Sequence, residues 1–216
     1  MNHYAQALTA TQLLDSHKLK QIGDQWQTPK ALAWGLFSVF SSRLGGVVID
    51  IFADDCNHLL PNYYTAEKNA LAQPLAQDIR KLGGSAAFGN PPYSRPCYDD
   101  DNQAITGMDN IITWCRKQRE EGAKIMLLIK AATSETWWPE DADFIQFIAG
   151  RIKFEAPNWY KPTTDKDKPS SSGFASAIVI FDKSWTWESR PHERLNRDDL
   201  IAMGNTLLTM AALEAA

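Results

Sequence analysis

Four consecutive residues, Asn90-Pro91-Pro92-Tyr93, combine side chains and backbone constraints that suit chemistry on an amino group. Two consecutive prolines fix the backbone dihedral φ and remove two main-chain N–H donors. The residue before each proline is also pushed out of the helical region. The segment therefore predicts a rigid, extended loop that presents an amide side chain, outward-facing carbonyl groups and a phenol ring.

An amino group conjugated to a ring is a poor nucleophile, because its lone pair is delocalised. The side-chain oxygen of Asn90 and the carbonyl oxygen of Pro91 can each accept one N–H bond of such a group. Acceptors fixed in this way favour the pyramidal amine that attacks an electrophile. Asn90 cannot take up a proton, so we expect the proton to leave to water, while Tyr93 stacks on the target ring. An ordinary turn is the competing interpretation, since Asn-Pro initiates turns.

Strands and helices alternate along the chain, and their order predicts where this loop lies. Short apolar runs predict buried strands at 47–51, 63–65, 85–88, 124–129, 144–148 and 174–181. Apolar spacings of three and four residues predict helices at 28–45, 67–82 (interrupted by Pro74), 105–122 and 198–216. We therefore predict an α/β fold with a largely parallel sheet and helices on both faces. Ligands bind at the carboxyl ends of such strands, where the loops at 50–57 and 90–96 begin.

The composition bounds the class of protein and the kinds of site. The chain has 216 residues, of which 44% are apolar and 22% charged, the mix of one ordinary globular domain. No apolar run approaches the ~20 residues of a membrane span, and the N-terminus resembles no signal peptide. Three scattered cysteines and four histidines show no metal-ligand spacing. We expect a cytoplasmic protein with no metal site and no membrane partner.

The tetrapeptide and its surroundings resemble the phage DNA adenine-N6 methyltransferases of the Dam type, which depend on S-adenosylmethionine. Asn90-Pro91-Pro92-Tyr93 with Ser94 is similar to the catalytic motif that several amino methyltransferase families share. The order and compact spacing of further segments make the resemblance more specific, and it covers roughly residues 24–182. Those segments are Trp26-Gln27-Thr28-Pro29, Val48-Ile49-Asp50-Ile51-Phe52-Ala53 with Asn57, Tyr64-Thr65-Ala66-Glu67 with Leu71, Gly150-Arg151-Ile152-Lys153-Phe154, and Ser176-Ala177-Ile178-Val179-Ile180-Phe181.

The resemblance implies a Rossmann-like class I methyltransferase fold and one particular reaction. A methyl group would pass from S-adenosylmethionine to the 6-amino group of adenine at specific sites in DNA, by base flipping. The implied catalytic residues are Asn90, Pro91, Pro92 and Tyr93. The implied role is DNA modification that protects phage DNA against restriction, as in restriction-modification systems.

The same resemblance implies a cofactor site for S-adenosylmethionine at the ends of the first two strands. The implied cofactor-binding residues are Asp50, Thr28 and Pro29 near the methionine moiety, Phe52 and Ala53 in the adjoining wall, and Glu67 on the ribose hydroxyls. The loop at 50–57 departs from the general methyltransferase pattern because it has no glycine, which puts close backbone approach to the ligand in doubt. Glu67 also fits an exposed carboxylate at the start of a helix.

Double-stranded DNA is the implied partner, and loops must recognise it, because the segment between 50 and 90 is too short for a separate recognition domain. The net charge of −4 argues against a surface that binds nucleic acid everywhere, but allows a local basic groove. The candidate DNA-binding residues are Arg95 in the loop at 94–103, Lys161, Lys166 and Lys168 in the loop at 158–173, and Arg151 and Lys153 beside a strand. The three lysines alternate with acidic residues, so a solvated loop of mixed charge fits them equally well.

The predicted organisation is a monomer built on one catalytic domain. We predict an N-terminal arm at 1–23, a catalytic domain at 24–185 with a long exposed loop at 156–173, and a helical tail at 186–216 that packs on the same domain.

Two other functions remain open. An amine or amide methyltransferase that acts on RNA or on a protein glutamine would use the same loop, although those families usually carry a glycine-rich cofactor loop and an extra N-terminal domain. A nucleic-acid-binding module without catalysis would account for the glycine-free loop. A cofactor-binding measurement separates this module from both enzymes.

Overall fold

The computed structural model describes residues 2–169, 172–189 and 195–214, which form five α-helices and seven strands. The helices are α1 (His3–Gln12), α2 (Lys30–Leu44), α3 (Leu75–Lys81), α4 (Met108–Glu120) and α5 (Arg197–Glu214). The strands are β1 (Val47–Asp50), β2 (Asn62–Tyr63), β3 (Ala86–Gly89), β4 (Lys124–Lys130), β5 (Phe144–Ala149), β6 (Ser176–Phe181) and β7 (Leu195–Asn196).

These strands form one sheet in the order β2-β1-β3-β4-β6-β5-β7. β6 runs antiparallel to its neighbours β4 and β5, whereas the other neighbouring pairs are parallel. The predicted α/β fold with a largely parallel sheet is confirmed. The five longer predicted strands are confirmed to within two residues at each end. β1 and β3 are adjacent and parallel, so their carboxyl ends lie at the same edge of the sheet.

Helices cover both faces of the sheet, as predicted. Successive side chains of β4 point to opposite faces, so that Met126 and Leu127 belong to different apolar cores. Leu127 packs in the core that holds Ile111 of α4. Met126 packs in the core that holds Leu36 of α2 and Leu200 of α5. A strand that is apolar on both faces is typical of a parallel sheet enclosed between helices.

The last helix crosses α2 at very short range, at two glycines. A Cβ atom on Gly204 of α5 would overlap the main-chain oxygen of Ala31 in α2. A Cβ atom on Gly35 of α2 would overlap the main-chain oxygen of Leu200 in α5. Only residues without a side chain allow the two helices to pack this closely. Of the predicted tail at 186–216, residues 190–194 and 215–216 lie outside the described residues.

Two predicted elements differ from the structure around the second strand. The strand predicted at 63–65 forms only at Asn62–Tyr63. The helix predicted at 67–82 is a short 3-10 turn at Ala70–Ala72 followed by α3, which begins directly after Pro74. Proline fixes φ and lacks an N–H group, so it is tolerated before the first turn of a helix but not inside one.

The loop at 156–173 is held against the N-terminal arm more firmly than its composition suggests. Its main chain bonds to the arm at His17, whose N–H donates to the oxygen of Lys161 over 2.7 Å. The carboxylate of Asp167 accepts hydrogen bonds from the main-chain N–H of Leu19 at 3.1 Å and from the hydroxyl of Thr164 at 2.7 Å. The contacts with His17 and Leu19 are long-range and give the loop a fixed path. Residues 170–171 of this predicted loop lie outside the described residues.

The described N-terminal residues form α1, which is bonded to the segment after β2. Asn2 caps α1 by accepting a hydrogen bond from the N–H of Ala5 at 2.8 Å. Its side-chain amide donates to the oxygen of Ala66 at 2.8 Å, and its main-chain N–H donates to Glu67 at 3.0 Å. None of the helices in the described part of the chain is long and apolar enough to cross a membrane.

Candidate active site

The predicted reactive loop leaves β3 beside the end of β1. The last residue of β3, Gly89, lies so close to β1 that a Cβ atom there would meet side-chain carbons of Ile51 and Phe52 at 2.8 Å. A larger residue would push the two strand ends apart. The loop after β1 has no glycine, but Gly89 at the end of β3 allows the close approach instead. Asn90, the next residue, therefore lies beside the loop after β1.

A first cleft, with a volume of about 320 Å³, lies at this edge of the sheet. The loop after β1, the segment after β2 and the reactive loop line one side, and α1 lines the other. Four carboxylates, Asp24, Asp54, Asp55 and Glu67, belong to its lining, and no lysine or arginine of the described residues does. We call it the acidic cleft. Of the predicted cofactor residues, it contains Phe52, Ala53 and Glu67.

Asp50 lies under the loop that forms the wall of this cleft, and does not line it. Its side chain is buried, and its carboxylate accepts hydrogen bonds from the main-chain N–H groups of Leu59 at 3.1 Å and Phe52 at 3.5 Å. Burial raises the pKa of this carboxyl group to about 7, because the charged form is removed from water. The carboxylate therefore fixes the conformation of the loop.

Thr28 and Pro29 line a separate cleft of about 720 Å³ between the start of α2 and the stretch 201–208 of α5. Lys153 lines the same cleft. Cys56 and Asn57 line both this cleft and the acidic cleft. The structure thus places five of the six predicted cofactor residues in two neighbouring clefts, with Thr28 and Pro29 apart from Phe52, Ala53 and Glu67, while Asp50 lines neither cleft.

A second cleft at the reactive loop has a volume of about 330 Å³ and is rich in aromatic side chains. The rings of Trp26, Tyr93, Phe154 and Phe174 line it, together with Lys130 at the end of β4. We call it the aromatic cleft. Asp24 and Asn90 are the two residues that the acidic and aromatic clefts share among the described residues.

Tyr93 is held at the wall of the aromatic cleft from two directions. Its hydroxyl accepts a hydrogen bond from the main-chain N–H of Lys130, and the Lys130 ammonium lies 4.2 Å from the centre of its ring. The same ammonium lies 4.9 Å from the ring centre of Phe174. Burial raises the pKa of the Tyr93 hydroxyl well above its usual value, so the group stays neutral.

Asn90 is oriented by the segment that precedes α2. Its side-chain nitrogen donates to the carbonyl oxygen of Trp26 at 3.5 Å, which leaves the side-chain oxygen as the exposed acceptor. Within the described part of the chain, neither this oxygen nor the carbonyl oxygen of Pro91 accepts a hydrogen bond. Two acceptors are therefore available on this loop, one on Asn90, which lines both clefts, and one on Pro91, which lines the aromatic cleft.

Comparison with known proteins identifies the family to which this chain belongs. The sequence profile of the family described as DNA N-6-adenine-methyltransferase (Dam) matches residues 15–207. The chain belongs to this Dam family. Its mixed α/β sheet with flanking helices is consistent with the class I methyltransferase-like fold.

One relative and one solved structure resemble this Dam family member over different lengths. The putative methyltransferase YfdM of Escherichia coli (strain K12) is 46% identical over 92 residues, which make up 43% of this chain and 96% of the relative. A structure titled as a cryoEM DrdV-DNA complex is similar with 10% sequence identity and a TM-score of 0.39, and the match covers 87% of this chain and 31% of the other.

The predicted DNA-binding residues of this Dam family member are all exposed. Arg95 follows the reactive loop directly. Arg151 donates to the carbonyl oxygen of Ser172 at 3.4 Å, and Lys153 lines the cleft with Thr28. The other three, Lys161, Lys166 and Lys168, lie in the loop bound to the arm, where Lys168 is paired with Asp165 at 2.7 Å. Among the described residues, no group of side chains could hold a metal ion.

Several residues of the site were not predicted. Asp24 precedes the motif at 26–29 by two residues, and Lys130 directly follows the apolar run 125–129 of β4; these positions were the available signals. Phe154 and Phe174 were assigned to the resemblance and to a strand, and nothing in their spacing indicated a common cleft. Residues of α1 also line the acidic cleft, although the arm carried no predicted role.

Proposed function

We propose that the protein transfers a methyl group from S-adenosylmethionine to the 6-amino group of adenine in double-stranded DNA, with the target base flipped out of the duplex. The observation that carries the proposal is the position of Asn90. It borders both clefts, and its side-chain oxygen and the carbonyl oxygen of Pro91 are free acceptors among the described residues. An amino group presented from the aromatic cleft can donate to both while it faces the acidic cleft.

The acidic cleft fits S-adenosylmethionine by charge and by hydrogen-bonding character. When bound, S-adenosylmethionine supplies a methyl group on a positively charged sulfur atom. Four carboxylates line the cleft, and no cationic side chain of the described residues opposes such a charge. Glu67, in the segment after β2, provides carboxylate oxygens that can accept hydrogen bonds from ribose hydroxyls. Phe52 and Ala53 also line the acidic cleft, together with Asn90 of the reactive loop.

The aromatic cleft fits a flipped base. Extrusion of a base from a duplex costs a few kcal/mol, and stacking of one base on an aromatic side chain contributes ~1–3 kcal/mol. Stacking on the rings that line this cleft is therefore sufficient to offset the cost of extrusion. These rings belong to Tyr93 of the catalytic loop and to Trp26, Phe154 and Phe174. They also favour a heteroaromatic ring over the aliphatic amide of a glutamine side chain.

Asn90 and Pro91 act on the amine and not on its proton. Two accepted hydrogen bonds concentrate the lone pair on the nitrogen, which makes it a better nucleophile. The N–CH₃ bond forms as the S–CH₃ bond breaks. Asn90 has no basic group, so the proton of the methylated amine passes to water. Pro92 keeps the loop rigid, and Tyr93 provides a stacking surface.

The finer biological assignments rest on the resemblance. We infer that the protein acts as a cytoplasmic monomer at specific DNA sites, and that the modification protects phage DNA against restriction. The exposed cations would contact phosphate groups, which position a duplex but do not specify its sequence. Arg95 is the nearest of them in sequence to the catalytic loop.

Methylation of a defined duplex tests the proposed function. Purified protein is incubated with S-adenosylmethionine and unmethylated duplex DNA, the DNA is digested, and N6-methyladenine is measured by mass spectrometry. We expect product with the wild type and with Gln77→Ala, which removes an exposed amide on α3 outside both clefts. Asn90→Ala should lower the rate at least about 100-fold, in line with the loss of a preorganised transition-state contact.

Two parallel measurements identify the other functions. Absence of product together with cofactor binding in calorimetry would overturn the DNA assignment and indicate an RNA or protein-glutamine substrate. Absence of both product and cofactor binding would leave a nucleic-acid-binding module without catalysis.

A further inference from the structure

Asp24 makes the contacts that fix the main chain of the catalytic loop. One of its carboxylate oxygens accepts hydrogen bonds from the N–H groups of Tyr93 at 2.8 Å and Ser94 at 3.1 Å. Hydrogen bonds to a charged acceptor are stronger than neutral ones. Because Pro91 and Pro92 have no N–H groups, Tyr93 and Ser94 are the first residues after Asn90 through which the main chain of the loop can be held in this way.

The other oxygen of Asp24 is bonded to the helix that covers the acidic cleft. It accepts a hydrogen bond of 2.9 Å from the hydroxyl of Tyr4 in α1. Tyr4 lines that cleft, and Asp24 lines both clefts. Two residues further along, Trp26 accepts the hydrogen bond from the Asn90 side chain. The segment 24–26 therefore holds the main chain of the catalytic loop and the side-chain amide of Asn90, and it also binds α1 through Tyr4.

We infer that Asp24 is a positioning residue for methyl transfer. It holds the catalytic loop so that Asn90 lies at both clefts and Tyr93 lines the aromatic cleft. This inference rests on the proposed function. Misplacement of a reacting group by about 1 Å can lower a rate on the order of 100-fold, so the loss of two main-chain contacts is sufficient for a large effect on kcat. Asp24 acts through the loop and takes no proton.

A role as general base is the alternative that the test must separate. Asparagine keeps one side-chain oxygen that can accept both main-chain N–H bonds, and its amide can donate to the hydroxyl of Tyr4. Asparagine cannot accept a proton. Asp24→Asn should therefore preserve positioning and abolish base catalysis, whereas Asp24→Ala removes both.

The experiment compares Asp24→Ala, Asp24→Asn and Tyr4→Phe in the full chain. The first readout is hydrogen exchange of the main-chain amides of Tyr93 and Ser94, which needs neither cofactor nor activity. We expect Asp24→Ala to raise their exchange rates at least about 10-fold, and Asp24→Asn and Tyr4→Phe to stay within about threefold of the wild type. Amides of β4 serve as the folding control.

The second readout is kcat at saturating DNA and cofactor. Asp24→Ala should lower kcat on the order of 100-fold, and Asp24→Asn should stay within about fivefold of the wild type with an unchanged pH profile. Equal losses in Asp24→Ala and Asp24→Asn, or unchanged exchange in Asp24→Ala, would overturn the inference. If the wild type makes no methyladenine, the proposed function fails, while the exchange readout still decides whether Asp24 holds the loop. If Asp24→Ala does not fold, Asp24→Asn decides through its kcat and pH profile.

Discussion

The hydroxyl of Tyr93 accepts a hydrogen bond of 2.6 Å from the main-chain N–H of Lys130, which ties the last residue of the catalytic tetrapeptide to the end of β4. Asp24 holds the main-chain N–H of the same tyrosine. Tyr93, which lines the aromatic cleft, is thus fixed both at its hydroxyl and at its backbone.

Substitution of Tyr93 separates these two roles. Tyr93→Phe keeps the ring but leaves the N–H of Lys130 without its acceptor, and we expect the free energy of unfolding to fall by ~1–3 kcal/mol with activity within a few-fold of the wild type. Tyr93→Ala also removes the stacking surface, and we expect kcat/KM for DNA to fall about 10- to 100-fold. Urea denaturation and steady-state methylation measure the two effects.

The control for this series is Tyr98→Phe, because Tyr98 is exposed and lines neither cleft. It should match the wild type in both measurements. A Tyr93→Phe variant as inactive as Tyr93→Ala would show that the hydroxyl, and not the ring, is essential.

The buried carboxyl group of Asp50 should make stability depend on pH. Its pKa is raised from 3.8 to about 7 by burial, so between these values the folded protein binds a proton that the unfolded chain has released. Stability from this group is therefore present below about pH 4, is lost progressively as pH rises to about 7, and then stays constant. A shift of about three pKa units corresponds to a decrease on the order of 4 kcal/mol.

Denaturation of the wild type and of Asp50→Asn at pH 5 and pH 8 measures this dependence. We expect the wild type to lose more stability than the variant between the two values, because asparagine does not titrate. Asp15→Asn, at an exposed position, should follow the wild type. Parallel pH profiles for wild type and Asp50→Asn would contradict the raised pKa.

The close crossing of α2 and α5 predicts that a glycine-to-alanine substitution at Gly204 lowers the stability of the protein. Glycine to alanine in the interior of a helix ordinarily stabilises by ~0.5–1 kcal/mol. At Gly204 the added methyl group would overlap the main chain of α2, and we expect destabilisation of ~1–3 kcal/mol from overpacking. Thermal or urea unfolding measures the change. Met203→Ala, next to it on an exposed position, should change stability by less than ~0.5 kcal/mol, and a stabilised Gly204→Ala would argue against the close crossing.

The hydrogen bonds of Asn2 predict that α1 affects cofactor binding. Asn2→Ala removes the cap of α1 and the bond to Ala66, and loss of an N-cap costs ~1 kcal/mol of helix stability. Because α1 lines the acidic cleft, we expect the Kd for S-adenosylmethionine in calorimetry to rise several-fold. Affinity for DNA, measured by fluorescence anisotropy, should not change.

The matched control on this helix is Ala10→Ser, at an exposed position that does not line the cleft. It should bind cofactor as the wild type does. An unchanged Kd in Asn2→Ala would mean that α1 contributes nothing to cofactor binding.

Local sequence was sufficient to predict a loop at 90–93 and the buried strand β1. Two prolines constrain the backbone whatever surrounds them, and the apolar run at β1 can form little else than a buried strand. Long-range partners were not predictable in this way. The carboxylate that holds Tyr93 lies 69 residues before it in the chain, and no spacing rule connects the two.

The same limit applies to the cofactor residues. Thr28 and Pro29 were grouped with Phe52 by resemblance, yet packing of α2 against α5 places them in a different cleft. The resemblance implied that Asp50 lies near the methionine moiety, and in the structure its carboxylate accepts hydrogen bonds from the main chain of its own loop. The positions of these side chains depend on how helices and loops pack against each other, and the hydrophobic pattern of one strand does not predict that packing.

The partition between the two clefts has a kinetic consequence. The acidic and aromatic clefts share only Asp24 and Asn90 among the described residues. On the proposed function, each reactant would therefore bind in its own cleft without filling the space of the other. Either reactant can then arrive first, and a methylated base can withdraw while the spent donor is still bound. On the proposed function, we therefore expect random order of addition and release, which initial-rate and product-inhibition kinetics would measure.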